Sequence, residues 1–217
     1  EHAEGEDHDH DHEDHAHDED HDHDHAEEAG HDHDHEHDEE AGHDHAHGAH
    51  DPHAWLSPDN ATIWLDVIAA ELSSADPENA GTYFGNAAAA KEELAAVSAE
   101  VNATLDPVRG MSFVVFHDAY QYFETAFDFP ASGAISLSDA TDPSPARIAE
   151  IQGRVADEGI ECVLSEPQFN PGIVATVMDG TEAKTRVLDP LGSDLDPGPE
   201  LYPQLLRNLA SSLAGCL

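Results

Sequence analysis

The sequence predicts an α/β fold: a parallel-sheet lobe with flanking helices, preceded by a long spine helix and a disordered His-rich tract. Three observations predict it. Residues 1–50 contain no Leu, Ile, Val, Phe, Tyr, Trp or Met, so they have nothing with which to build a core. Leu94, Val97, Val101 and Leu105 then recur at helical spacing at the end of a long segment without Gly or Pro interruption after Gly85. Beyond Gly110, short apolar runs alternate with helical segments, the pattern of strands connected by crossover helices.

Taken in order, Ser57-Pro58-Asp59 starts a first helix, with Ser57 as N-cap and Pro58 at the first helical position. Trp64, Val67, Ile68 and Leu72 follow at helical spacing, and Ser73–Asp76 end the helix. Asp76-Pro77-Glu78 opens a second helix reaching about Leu105, where Asp106-Pro107 stops it. A helix of that length exceeds the ordinary globular one and reads as a spine. Expected strands are Ser112–Phe116, Ala131–Ile135, Glu161–Leu164 and Arg186–Leu188. Expected helices between them are Ala119–Ala126, Pro145–Asp157 (with a Ser144 cap), Pro171–Met178 and Glu200–Leu213. The domain reading is therefore tract 1–50, connecting segment and spine 51–109, and C-terminal lobe 110–217.

Charge excludes several functions. The chain carries a formal net charge of −41. Residues 51–217 alone hold 26 Asp plus Glu against 7 Lys plus Arg. Nucleic acid and anionic membrane surfaces are poor partners for such a chain, and cations are good ones. Adaptation to a salty habitat is an alternative cause of acidity outside the tract. No apolar run reaches the ~18–20 residues of a membrane span, so membrane insertion is not expected. Cys162 and Cys216 are the only cysteines. Paired, they would staple the last helix to the sheet and fit an oxidising compartment such as a periplasm; unpaired, they are two buried thiols.

The tract carries the strongest chemical signal. Its fifty residues hold 17 histidines and 22 acidic residues, with no Lys or Arg. The clusters are His8, His10 and His12; His21, His23 and His25; His31, His33, His35 and His37; and His43, His45 and His47. Imidazole ligates zinc, nickel and copper, and carboxylates add attraction for cations. Only His53 and His117 lie outside the tract. In an open parallel sheet, ligands bind beyond the carboxyl ends of the strands. His117, Glu166 and Asp189 each fall at such a position. Two imidazoles with one or two carboxylates suit Zn(II), Mn(II) or Fe(II). The bland alternatives are a structural His117, a turn at Asp189-Pro190 and a strand terminator at Glu166-Pro167. Tyr83, Phe84, Tyr120, Tyr122 and Phe123 read as core or lobe-interface residues.

Four segments, in order, then carry a resemblance: Asp51-Pro52-His53-Ala54-Trp55-Leu56-Ser57-Pro58, Phe116-His117-Asp118-Ala119-Tyr120-Gln121-Tyr122-Phe123, Ser165-Glu166-Pro167-Gln168-Phe169 and Leu188-Asp189-Pro190-Leu191-Gly192. Together with the His/Asp-rich loop and the cysteine pair, they resemble the ZnuA-type periplasmic zinc-binding proteins, solute-binding subunits of ABC importers. The resemblance implies two α/β lobes joined by a rigid helix, with metal between them. It implies His53 and His117 as zinc ligands and Asp189 at the site, with His117 the zinc-type choice where manganese members carry Glu. The family's N-terminal lobe precedes the His-rich loop and supplies a further ligand. This chain begins inside that loop, so the expectation is a fragment with a half-built site.

The functional expectation is a high-affinity zinc-binding component that captures Zn(II) in the periplasm and delivers it to an ABC permease subunit, acting as a monomer without covalent chemistry. The tract would add several exchangeable sites that raise local metal concentration near His53 and His117. An intracellular nickel or zinc storage chaperone and a zinc hydrolase using His53, His117 and Asp189 are the alternatives. The sequence contains no HExxH, GxSxG, Walker or GxGxxG motif, which disfavours an enzyme.

Overall fold

The computed structural model describes residues 51–137 and 142–217. The tract histidines lie outside them. Helix α1 spans Pro58–Ala75 and α2 spans Ala80–Leu105, separated by a 3-10 turn at Pro77–Asn79. Strand β1 (Phe113–His117), helix α3 (Gln121–Phe127), strand β2 (Gly133–Ser136), helix α4 (Pro145–Asp157), strand β3 (Cys162–Ser165), helix α5 (Pro171–Met178), strand β4 (Lys184–Val187) and helix α6 (Leu201–Cys216) follow. The four strands form one parallel sheet in the order β2-β1-β3-β4.

Helix starts follow the expected cap chemistry. The Ser57 side chain accepts a hydrogen bond from Asn60 N at 3.3 Å, and Ser144 accepts one from Arg147 N at 3.2 Å. Each serine satisfies an amide that has no carbonyl partner in the first turn. Asn170 does the same for α5 through Gly172 N. Several strand and helix ends shift by one to three residues from expectation, and two differences have a clear local cause. Ser73 and Ser74 continue α1, because Ser73 turns its hydroxyl back onto Ala69 O at 2.6 Å rather than competing for amides. The spine is not continuous from Asp76: the proline turn intervenes, and regular helix begins at Ala80.

Strand β1 reads Phe-Val-Val-Phe-His and is buried throughout, as expected for the centre of a sheet covered on both faces. Alternation along it divides the core. Phe113 and Val115 pack with Leu94, Val97, Val101 and Leu105 of α2 and with Leu206, Leu209 and Leu213 of α6. Val114 and Phe116 pack with Ile151 and Val155 of α4 and Val174 and Val177 of α5. Cys162 and Cys216 form a disulfide with Cα atoms 5.8 Å apart, joining β3 to the end of α6. Edge strand β4 is exposed along its length and carries Lys184 and Arg186, charges that discourage pairing with another strand.

Helix α1 departs from the usual inward-facing pattern. Ile63, Trp64, Val67, Ile68 and Leu72 are all exposed, as is Phe84 on α2. Their helical spacing is genuine, but the apolar stripe faces away from the described core. Among the described residues no helix is long and apolar enough to cross a membrane.

Candidate metal centre

The segment before α1 is fastened to the lobe by three aromatic side chains. Trp55 Nε1 donates to Pro190 O at 3.0 Å, Tyr202 OH donates to Trp55 O at 2.7 Å, and Tyr122 OH donates to Asp51 O at 3.3 Å. Leu56 is fully buried in the α2–α6 core. These anchors hold a short turn at Ala54–Leu56 and so fix the His53 backbone beside the end of β1. His117 arrives from the other side as the last residue of β1.

The two imidazoles face each other through one nitrogen each. Their Nε2 atoms are 3.4 Å apart, and both side chains are buried. Each ring uses its other nitrogen on a carboxylate. His53 Nδ1 lies 2.7 Å from Asp51 Oδ1, which also accepts from His53 N at 2.9 Å. His117 Nδ1 lies 2.8 Å from Glu166 Oε1, and Glu166 Oε2 sits 2.7 Å from the same nitrogen but off the hydrogen-bond axis. Glu166 follows β3, the neighbour of β1 in the sheet, so strand order alone brings it beside His117.

The surroundings are apolar and aromatic. The Phe169 ring centroid is 5.1 Å from that of His117, and Trp55 is 5.2 Å from His53. Tyr120 is buried beside Glu166 without a hydrogen bond of good geometry to its hydroxyl. Burial first, and then the Glu166 charge, hold this phenol well above its ordinary pKa, so it stays protonated.

Asp189 is occupied differently. Its Oδ1 accepts from Gln168 Nε2 at 2.8 Å and Leu191 N at 3.0 Å, and its Oδ2 accepts from Ser193 N at 2.5 Å. Partial burial alone would raise its pKa; the bonds from Gln168, Ser193 and Leu191 outweigh that and hold it below the usual value. The carboxylate closes the 189–193 turn, which Gly192 completes in the left-handed region at φ 67°, close against Leu195. Among the described residues, no three His, Cys, Asp or Glu side chains converge in a metal-holding group. The structure thus brings His53 and His117 together and places Asp189 in its own turn.

One partner, Asp51, escaped sequence reasoning, and the pairing of the other was not visible. Asp51 stands two residues before His53, but Asp-His pairs recur throughout the first fifty residues and carry no distinguishing signal. Glu166 was visible as a strand-end carboxylate, while its role depends on β3 lying next to β1.

Comparisons with known proteins show the family and the fold. A family model described as ZnuA, the periplasmic component A of a zinc-uptake complex, matches residues 1–216. The high-affinity zinc uptake system protein ZnuA of Brucella abortus (strain 2308) is 52% identical over 170 residues, 78% of this chain and 51% of that protein. Its counterpart from Paracoccus denitrificans (strain Pd 1222) is 45% identical over 168 residues, 77% of this chain and 52% of its own. The chain therefore spans about half the length of these curated relatives. A crystal structure of ZnuA superposes with a TM-score of 0.67 at 27% identity, covering 76% of this chain and 62% of that one.

Proposed function

The chain belongs to the family of periplasmic zinc-uptake components A, and from that premise we propose that it is the zinc-capturing part of a high-affinity solute-binding protein serving an ABC importer. Its work is to hold Zn(II) in the periplasm and release it to a permease subunit. The family is one of transporter components, not enzymes. Zinc is cargo here, and no bond of the cargo is made or broken beyond its coordination.

One observation carries the reading: the 3.4 Å separation of His53 Nε2 and His117 Nε2. Two nitrogens each ~2.0–2.1 Å from a tetrahedral zinc ion stand about 3.3 Å apart. With both Nδ1 atoms turned to carboxylates, the pair presents its remaining nitrogens to a single point. A zinc ion at that point would take one lone pair from each ring. The residues present fit zinc as two of its four ligands. Asp189 is proposed at the same site as well: its Oδ2, which accepts from Ser193 N, keeps a further lone pair for a metal. The buried aromatic lining lowers the local dielectric and strengthens coordination relative to an exposed pair.

The disulfide between Cys162 and Cys216 supports an oxidising compartment and so the periplasm over an intracellular storage role. The proposed tract sites, His8 through His47, act as exchangeable accessory sites of lower affinity. Competition of the chain against a chromophoric zinc chelator tests the proposal. One site should outcompete the rest and vanish in His53→Ala/His117→Ala; a tight site indifferent to that double change refutes it.

A further inference from the structure

The hydrogen bond from Trp55 to Pro190 joins two segments that zinc capture needs together. We propose that Trp55 is a positioning residue: it ties the His53 segment to the 189–193 turn, and so sets where Asp189 stands relative to the His53–His117 pair. This deepens the zinc-capture reading and rests on it.

Donor and acceptor are fixed by chemistry. An indole nitrogen only donates and a proline carbonyl only accepts, so the 3.0 Å contact between Trp55 Nε1 and Pro190 O has one direction. Pro190 is buried, and a buried carbonyl left without a donor is costly. Around it, Asp189 accepts from Leu191 N and Ser193 N. Asp189 thus closes the turn from within, and Trp55 holds it from outside. The main chain of Trp55 is fixed as well. Its carbonyl accepts from Tyr202 OH at 2.7 Å, and burial pushes that phenol up, so it stays a donor. The Trp55 ring lies 5.2 Å from the His53 ring. One residue therefore meets the His53 ring, the Asp189 turn and α6. Packing alone does not hold the indole in place. Trp55 is only partly buried, and it borders an open apolar groove shared with Trp64, Leu65, Ile68 and Pro203. The hydrogen bond supplies the orientation that the groove leaves free. Among the described residues, no third His, Cys, Asp or Glu side chain converges with the histidine pair, so the setting of the turn decides whether Asp189 meets the same ion.

The experiment uses the full chain and two readouts. In the first, NMR follows the indole N–H signals of Trp55 and Trp64, the only tryptophans, during a zinc titration. The Trp64 signal is identified by its loss in Trp64→Phe. Filling of the tight site should shift the Trp55 signal; a Trp55 signal indifferent to that site overturns the proposal with Trp55 itself unaltered. The second readout is a double-mutant cycle measured by chelator competition. Trp55→Phe keeps an aromatic ring, loses the donor and should weaken the tight site by about fivefold to tenfold, the worth of one hydrogen bond. In the Asp189→Ala background the same change should have no further effect on zinc, because the turn no longer carries a ligand, while it still lowers the melting temperature. A merely structural tryptophan would weaken zinc binding equally in both backgrounds, and that result overturns the proposal. Tight binding that survives His53→Ala/His117→Ala is the separate failure of the zinc-capture reading, and the proposal falls with it.

Discussion

Imidazole binds a metal through a nitrogen that carries no proton, so the useful question at a histidine is which nitrogen faces the site. At His53 and His117 it is Nε2 in both cases, because Asp51 and Glu166 occupy Nδ1. Replacing either ligand should cost more than replacing its outer partner. His53→Ala or His117→Ala alone is expected to weaken the tight zinc site by more than about 100-fold, above the range for outer-shell partners; chelator competition reads this directly. The two histidines that the structure brings together, proposed here as the ligands, stood out in the sequence because they are the only ones outside the tract. Of their carboxylate partners, Glu166 was legible as a strand-end residue though its pairing with His117 was not, and Asp51 was not legible. Asp51 is hidden among many Asp-His neighbours, and the Glu166–His117 contact spans 49 positions and exists only once β3 lies beside β1. Asp189 was legible as a strand-end carboxylate; two of its bonds serve the following turn and a third comes from Gln168.

At the scale of elements, local chemistry was read well and facing was not. Serine caps at Ser57 and Ser144 and the bounds of α4 and α5 follow from side-chain hydrogen bonding and proline geometry, which neighbours in sequence determine. The outward stripe on α1 has the same periodicity as a buried one, so spacing alone does not tell them apart. The two elements that hold the lobe together make separate predictions. Leu105 is fully buried at the end of α2, and Leu105→Ala should cost ~2–5 kcal/mol by chemical denaturation. The bridge from β3 to α6 closes a loop of 54 residues. Replacing Cys162 and Cys216 with serine should lower stability by about 4 kcal/mol in the chain-entropy account. A melting temperature unchanged by that double substitution would show that the bridge contributes nothing.

For the whole molecule, the net charge of −41 favours cations over every anionic partner. Two classes of zinc site should be separable by pH. The tract sites depend on neutral imidazole, and protons compete as pH falls below the unperturbed value near ~6.5. Bound zinc per chain should therefore drop between pH 7 and pH 5 in a step that reflects the tract; full stoichiometry at pH 5 would count against exchangeable histidine sites. The parallel sheet, its flanking helices and the place of His117 at a strand carboxyl end were legible from strand–helix alternation and the rule that ligands gather at those ends. The anchoring of His53 was not, because Trp55 and Tyr202 meet across 147 positions.

The most direct test is a zinc titration of the full chain and of His53→Ala/His117→Ala at pH 7, resolved into tight and weak sites by competition with chelators of graded affinity. The account predicts one tight site in the parent that is absent from the double variant, with the weak sites unchanged. A tight site of equal affinity in both chains would contradict it and move zinc capture away from His53 and His117.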